Sequence, residues 1–226
     1  KAPRLLLYKN SPSVVIGRHQ NPFQECNLPA MREDEIKMVR RKSGGGTVYH
    51  DLGNLCWSFL LPVASDVLPL DARKYNNNVL LNALKSLNIN AEKTERNDIV
   101  IEGKKISGCA YQVCLGKKND EFKRLLHHGT FLVSTELETL KKYLKNDREI
   151  ESKAVSSVRS PVTNLCQISP TLTMTDLENS IVNEFVQYYS QGNEFKFVEL
   201  GEEELLDDHF IKSTADEMTL KQWMFE

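Results

Sequence analysis

The sequence has no long apolar run, almost no net charge and no cysteine pair of the CxxC type. A helix that crosses a membrane needs about 20 consecutive apolar residues, and no such stretch occurs, so we expect no membrane partner. The formal net charge is −2. A protein that mainly binds nucleic acid needs a clearly basic surface, so we also expect no nucleic-acid partner.

The cysteines are few and irregularly spaced. An odd number without a CxxC pair indicates free thiols in a reducing compartment. No thiol stands in a recognisable Cys-His-Asp arrangement, so we interpret them as buried side chains and keep thiol catalysis as the weaker alternative. The five are Cys26, Cys56, Cys109, Cys114 and Cys166.

The composition, with 40% hydrophobic and 27% charged residues, suffices for one sizeable core or for one large and one small domain. Short strand patterns alternate with helical patterns without a strict βαβ repeat. We therefore predict an α+β fold with a mixed, largely antiparallel sheet packed with helices. The predicted strands are Arg4–Tyr8, Ser13–Gly17, Leu55–Leu61 and Phe131–Val133.

Three helices are predicted from capping residues and apolar stripes. The first begins near Asp71 and is expected to turn its Asn76–Asn78 run to water. The second and third are expected to begin at capping boxes formed by Thr135 with Glu138 and by Thr175 with Glu178. The polar stretch from Asn146 to Pro170 is predicted to be a loop.

Glycine is scarce, yet three of the 11 glycines are consecutive, in Gly44–Gly46 after Arg40–Lys42. Adjacent glycines weaken regular structure, so this run needs another explanation. Bare backbone N–H groups bind anions, and the preceding cations supply the opposite charge. The run therefore predicts a site for a phosphate or carboxylate. The alternative is a solvated turn beside a cationic surface.

A second candidate segment reads as a β-hairpin, with apolar runs on either side of Gly103. Asn97 and Asp98 offer oxygen ligands of the kind that Mg²⁺ prefers, and Lys105 follows the turn. A phosphate, a divalent ion and an ammonium group would then meet at one place. The alternative makes these residues exposed charges at the tip of a hairpin.

Together these segments resemble the lipoate-protein ligase and lipoyltransferase family, over about the first three quarters of the chain. Five stretches carry the resemblance in the family's order and spacing. They are Val14–Arg18 with Gln20–Pro22 and Glu25–Asn27, Arg41–Asn54, Asn97–Gly108, His127–Thr130 and Ser157–Leu165.

The resemblance implies an enzyme that handles lipoate or octanoate as a mixed anhydride with AMP and transfers the acyl group to a lysine of a lipoyl domain. It implies ATP and Mg²⁺, or ready-made lipoyl-AMP, as cosubstrates, and no prosthetic group. Lys105 would be catalytic, and Asn97 and Asp98 would hold Mg²⁺. The substrate- and nucleotide-binding residues would be Arg41, Ser43, Gly44, Gly45, Gly46, Thr47, Val48, Tyr49, His50, Arg96, His128 and Thr130.

Within this resemblance, we expect Arg41 to face the nucleotide and His50 to anchor the glycine loop. Residues 152–164 would close over the adenylate. His127 and His128, as neighbours on a strand, would point to opposite faces, which argues against a shared metal. The acyl slot would be apolar and would discriminate weakly between octanoate and lipoate. Its candidate residues are Val14, Val15, Ile16 and Val48.

The family relationship also implies partners and a location. We expect a monomer that acts on the lipoyl domains of 2-oxoacid dehydrogenase E2 subunits and on the glycine cleavage H protein. Their acidic faces would meet Arg40, Lys42 and Lys104. Residues 1–226 would form the catalytic domain with a helical part from 171, and the native chain either ends there or continues into a small C-terminal domain, as many family members do. Similarity of Leu5–Arg18 to eukaryotic members suggests a mitochondrial location.

Three functional hypotheses follow. The first is a full ligase that activates the free acid with ATP. The second is an amidotransferase that uses only an activated donor, such as acyl-AMP, acyl-CoA or a lipoylated protein. The third is a non-catalytic module that binds lipoylated partners. Biotin ligase is a further enzyme alternative, although its Gly-Arg-Gly-Arg type of loop is absent.

Overall fold

The structure, a computed structural model, describes residues 2–64, 69–114, 122–145, 153–190, 192 and 194–225. Its main element is a six-stranded, fully antiparallel sheet in the order β1-β5-β9-β8-β7-β6. The strands are β1 (Arg4–Tyr8), β5 (Asn54–Ala64), β6 (Glu92–Lys93), β7 (Ile99–Ile101), β8 (Lys104–Cys114) and β9 (Phe122–Leu132).

The main core lies on one face of this sheet. Strands β5 and β9 pair over their full length and bury Trp57, Phe59 and Phe131. Two long helices, α3 (Pro69–Ser86) and α6 (Met174–Tyr189), cover these rings and pack against each other. Helices on one face leave the other face of the sheet available for a site.

A second, three-stranded sheet lies on that other side and has its own small core. In the order β3-β2-β4, it consists of β2 (Ser13–Ile16), β3 (Lys37–Arg40) and β4 (Val48–His50). Strands β2 and β3 are parallel, so the sheets together are mixed, as predicted. The flanking helices are α1 (Pro22–Glu25), α2 (Leu28–Glu33) and α4 (Leu137–Tyr143).

The remaining helices are short. They are α5 (Leu165–Ile168), α7 (Glu202–Asp207), α8 (His209–Thr219) and α9 (Lys221–Phe225). Helices α8 and α9 lie along β3. The indole N–H of Trp223 donates to the carbonyl of Arg40 at 2.8 Å.

The position of Arg40 differs from our prediction, because we expected this residue to face a partner protein. It is 4% exposed, and its guanidinium donates to the carbonyls of Gly17, Gln20 and Trp223. The hydrogen bond to Trp223 joins α9 to β3, the strand that leads into the glycine run. Arg40 is therefore unavailable to an acidic partner.

The asparagine run is a second correction. Asn76 and Asn77 are fully buried instead of facing water, and only Asn78 is exposed as predicted. The amide nitrogen of Asn76 lies 3.2 Å from His127 Nδ1, and its oxygen accepts a hydrogen bond from Tyr189. Helical periodicity placed these amides opposite one apolar stripe, whereas α3 is enclosed by both the sheet and α6.

Three predicted strands and the hairpin are confirmed. The fourth strand begins at Phe122 instead of Phe131 and ends at Leu132, and both capping boxes are wrong. Helix α4 begins after Glu136 without a side-chain cap, and the N–H of Glu136 donates to Asp51 at 2.8 Å instead. Helix α6 is capped by Thr173 with Asp176. The predicted loop contains α5, and its residues 146–152 lie outside the described part.

None of the helices that the structure describes is long and apolar enough to cross a bilayer.

Candidate active site

The glycine run forms a tight loop that is held from inside by Arg41. The guanidinium donates to the carbonyls of Gly44 and Gly46 at 2.7 Å each, and to that of Val15 at 3.1 Å. Burial lowers the pKa of Arg41 to about 10. We expected Arg41 to face the nucleotide. It borders the first of the cavities described below, while its donors hold the backbone of the loop that a ligand would contact.

The loop also depends on a close approach between two glycines. A Cβ on Gly17, at the end of β2, would lie 2.1 Å from the carbonyl oxygen of Gly45, and Gly45 itself has φ +90°. Both positions therefore require glycine, one for space and one for backbone conformation. Gly44 has open space around its Cβ position.

Lys105 lies at the start of β8, directly after the turn of the predicted hairpin. The turn residues Glu102 and Gly103 both have positive φ, as a tight type I′ hairpin requires. The main chain of Lys105 is hydrogen-bonded to the segment around Val162 on the side away from β7. Its N–H donates to the carbonyl of Pro161, and its carbonyl accepts from the N–H of Thr163. Its ammonium group lies 2.8 Å from Asp98 Oδ1.

Two cavities meet at Lys105. The first has a volume of about 800 Å³ and the second about 920 Å³. The glycine run, Asp98 and Lys105 all border the first cavity. The residues that border both are Thr47, Val48, Lys105, Gly108, Thr130, Ser157 and Val158. An elongated ligand can therefore occupy both cavities with its centre beside one ammonium group.

Apolar side chains line much of the first cavity. Val15 and Val48 do so, as expected for an acyl slot. Val14 and Ile16 do not, and this is a correction: both are fully buried in the small core. Adjacent residues of a strand point to opposite faces, so β2 directs Ser13 and Val15 to the cavity and Val14 and Ile16 to the small core.

His50, Cys56 and Asn10 form a cluster on the wall of the first cavity. The Asn10 amide lies 2.9 Å from His50 Nδ1, and the Cys56 sulfur lies 3.8 Å from the same atom. Burial raises the pKa of Cys56 to about 12 and lowers that of His50 to about 4. A reactive thiolate–imidazolium pair is therefore disfavoured. Within the residues that the structure describes, His50 contacts Asn10 and Cys56 and not the glycine loop, contrary to expectation.

The two adjacent histidines of β9 point to opposite faces, as predicted. His127 lies in the main core, with its ring edge-on to Trp57. His128 borders the first cavity, and its Nε2 lies 2.6 Å from the Ser43 hydroxyl. This contact connects the beginning of the glycine loop to the large sheet.

The metal candidates separate in the structure. Asp98 borders the first cavity, whereas the side-chain oxygen of Asn97 accepts a hydrogen bond from Asn77 at 3.1 Å. In the described part of the chain, no three His, Cys, Asp or Glu side chains gather as metal ligands. Mg²⁺ commonly binds through one carboxylate, water and substrate phosphates, and Asp98 fits that mode. Asn97, as oriented here, does not.

The other predicted residues border the cavities in different ways. Arg96 borders the first cavity, and Thr130 borders both. Thr47 also borders both, and its hydroxyl donates to Gln20 at 2.8 Å. Tyr49 borders the second cavity, while its ring packs against Tyr143 in the small core.

Sequence reasoning missed Gln20 and underrated Ser157. Gln20 Oε1 accepts from the N–H of Gly17 and the hydroxyl of Thr47, and its amide nitrogen donates to Ser157 Oγ at 2.8 Å. Ser157 Oγ also accepts from the N–H of Thr47. The segment around Ser157 therefore lies against the glycine loop. The only sequence signal was that Gln20 belongs to one of the matched stretches.

The buried histidines predict acid sensitivity. Burial lowers the pKa values of His50 and His128 to about 4 and of His127 to about 3, from 6.5. Below pH 6.5 the unfolded chain binds protons that the folded protein does not. The free energy of unfolding should therefore fall towards pH 4, by about 1.4 kcal/mol per pH unit for each such imidazole.

Urea denaturation at intervals from pH 7.5 to pH 4.5 measures this dependence. His128→Asn should make the slope shallower, because it removes one of the three groups. His19→Asn, which removes an exposed imidazole, is the control and should leave the slope unchanged. Equal slopes in all three proteins would contradict the assignment.

The matches to known proteins agree with this geometry. Residues 1–186 match the family model described as the lipoyl protein ligase A/B catalytic domain. This match covers most of the chain. The chain belongs to the lipoyl protein ligase A/B catalytic-domain family.

Solved structures of lipoate-protein ligases superimpose on nearly the whole chain. P. falciparum LipL1 in complex with lipoate is 32% identical, with a TM-score of 0.79 over 99% of this chain and 61% of that one. A lipoate-protein ligase A bound with ATP is 26% identical, with a TM-score of 0.79 over 99% of this chain and 85% of that one. The chain thus spans 61% of the length of the P. falciparum protein.

A third structure is the bipartite archaeal lipoate protein ligase of Thermoplasma acidophilum, solved in work on that ligase and its E2 lipoyl domain. It is 28% identical, with a TM-score of 0.78 over 99% of this chain and 84% of that one. These similarities confirm the predicted family and the α+β fold.

Proposed function

We propose that this chain activates a medium-length carboxylic acid, lipoate or octanoate, as an acyl-AMP and transfers the acyl group to a lysine of a lipoyl domain. One observation carries the proposal. The ammonium group of Lys105 lies where the two cavities meet, which is where the acyl-phosphate bond of an adenylate spanning both would lie. Support comes from relatives solved with lipoate and with ATP.

The residues fit the two chemical steps. In the first step, a carboxylate oxygen attacks the α-phosphorus of ATP and pyrophosphate leaves. In the second step, the neutral lysine amine of the acceptor attacks the acyl carbon and AMP leaves. Both steps build negative charge on oxygens, and an ammonium such as that of Lys105 stabilises this charge. Mg²⁺, held by Asp98 when bound, would add further positive charge.

The transfer-only reaction remains the second candidate, and one observation favours it. Asp98 is the only carboxylate that borders the first cavity in the described part of the chain, and it is paired with Lys105. The metal that activation with ATP needs would therefore have to displace the ammonium of Lys105 from Asp98. An adenylate supplied ready-made avoids that requirement.

One assay with two donors separates the candidates. A purified lipoyl domain is incubated with the protein and with either lipoate, ATP and Mg²⁺, or synthetic lipoyl-AMP, and acylation is followed by intact mass. Modification with both donors supports the ligase. Modification with lipoyl-AMP alone selects the transferase, and no enzyme-dependent modification with either donor contradicts both.

The acceptors and the location are part of the proposal. The E2 lipoyl domains and the glycine cleavage H protein are the proposed acceptors, and support for the former comes from the archaeal ligase studied with its E2 lipoyl domain. Both kinds of acceptor belong in the same two-donor assay. A mitochondrial site of action is proposed from the sequence resemblance.

A further inference from the structure

A third cavity, which adjoins the first, is strongly cationic. Its volume is about 590 Å³, and Lys42–Gly45 form part of its wall. Among the residues that the structure describes, no aspartate or glutamate lines it. The arginine, lysine and histidine side chains that line it are Arg18, His19, Lys42, Arg73 and Arg96.

Three of these cations have no carboxylate partner. Lys42 is paired with Glu217 at 2.9 Å, but Arg18, Arg73 and Arg96 form no ion pair in the described part of the chain. They come from three separate segments: the loop after β2, helix α3 and the turn before β7. Folding gains nothing from gathering like charges, so a ligand of opposite charge is the better explanation.

Two of the guanidinium groups are oriented by aromatic rings. Arg73 lies over the ring of Tyr111 at 3.9 Å, and Arg18 lies over that of Trp223 at 5.5 Å. Stacking fixes the plane of a guanidinium, whose paired N–H groups match a carboxylate. The Nε of Arg73 is buried and has no hydrogen-bond partner in the described part of the chain.

We propose that this cationic cavity docks the acidic surface of the acceptor protein. The inference rests on the proposed function and identifies where its protein substrate binds. Seven residues, Gly45, Arg96 and Ala110 among them, border both this cavity and the first one, whereas Arg18 and Arg73 border only this one. A protein docked here therefore lies directly across the glycine run from the acyl cavity, within reach of an acceptor lysine.

The nucleotide is the less suitable occupant. Lys105 and Asp98, which suit an acyl-phosphate and its metal, border the first cavity and not the third. Arg18, Arg96 and Tyr111 are exposed, so this is an open surface. An open array of separated guanidinium groups fits several carboxylates spaced over a folded partner.

Charge reversal tests the surface. In Arg18→Glu and Arg73→Glu, KM for an intact lipoyl domain should rise about tenfold at low ionic strength, with little change in kcat. The dependence of KM on salt should also become weaker. The dissociation constant of a non-hydrolysable acyl-AMP analogue should be unchanged, because neither residue borders the paired cavities.

Lys85→Glu is the matched control. Lys85 is exposed on the same helix as Arg73, about 18 Å further along its axis, and it borders none of the three cavities. It changes the total charge by the same amount. Its KM should equal that of the unmodified protein, so a general effect of net charge is separated from docking.

Direct binding of the unacylated lipoyl domain separates this inference from the proposed function. If the wild-type protein transfers the acyl group and the variants bind the domain equally well, the docking surface is wrong and the function stands. If the wild-type protein does not transfer the acyl group but the two variants bind the lipoyl domain more weakly than it does, the docking surface is supported and the proposed function is contradicted. Pyrophosphate binding that is lost in Arg73→Glu, with acceptor binding unchanged, would mark a small-anion site and overturn the proposal.

Discussion

Lys105→Ala should reduce acyl transfer to a lipoyl domain by about a hundredfold or more. The ammonium of Lys105 is the positive charge at the junction of the two cavities, and removal of such a donor typically costs two to three orders of magnitude in rate. The rate of transfer from synthetic lipoyl-AMP measures the effect without the adenylation step.

The loss should be catalytic and not structural. The side chain of Lys105 is partly exposed, so its removal should leave the thermal midpoint nearly unchanged. Lys104→Ala is the control, because Lys104 is exposed one residue earlier on the same strand and borders none of the three cavities. Comparable losses in both variants, or an unchanged rate in Lys105→Ala, would contradict the assignment.

Gly17→Ala should also reduce activity about a hundredfold, through the position of the glycine loop. The added methyl group would lie 2.1 Å from the Gly45 carbonyl oxygen, so the loop must move by more than an ångström. A displacement of that size in an active site costs about two orders of magnitude in rate. Transfer from lipoyl-AMP and the dissociation constant of an acyl-AMP analogue measure it.

Gly44→Ala provides the comparison within the same loop. Its Cβ would meet nothing within 4 Å, and its φ is not positive. Activity should therefore stay within a few-fold of the unmodified protein. If both substitutions are equally harmful, the loop is intolerant of any side chain, and close packing against Gly17 is not the reason for the glycines.

Burial determines the protonation states of the Cys56 thiol and the His50 imidazole. Cys56, His50 and Asn10 have the composition of a nucleophilic cluster and border the acyl cavity. Burial nevertheless favours the neutral forms of both the thiol and the imidazole. The cluster is better suited to shape the wall of the cavity than to attack a substrate.

Part of the fold was predictable because local patterns agree with the final structure. The hairpin that contains Lys105 follows from Gly103 between two apolar runs and is confirmed, although its turn is Glu102–Gly103 and not the expected Gly103–Lys104. The division of His127 and His128 between two faces follows from the alternation of a strand. In each case the deciding interaction lies within a few residues along the chain.

Helix starts and buried amides were not predictable in this way. Glu136 is held by the carboxylate of Asp51, which lies 85 residues away. Asn76 is buried because Tyr189, on another helix, satisfies its side chain. Tertiary hydrogen bonds replaced the local caps and the solvent that the sequence pattern implied.

The sequence by itself determined that a bare-backbone loop and a hairpin lysine exist, because backbone conformation at glycines and strand alternation are local properties. Only the tertiary structure decided which charges are available. It buried Arg40 under the C-terminal helices and turned Arg41 inwards, and it gathered Arg18, Arg73 and Arg96 on one open surface. Such choices depend on which distant segments pack together, and no local pattern contains that information.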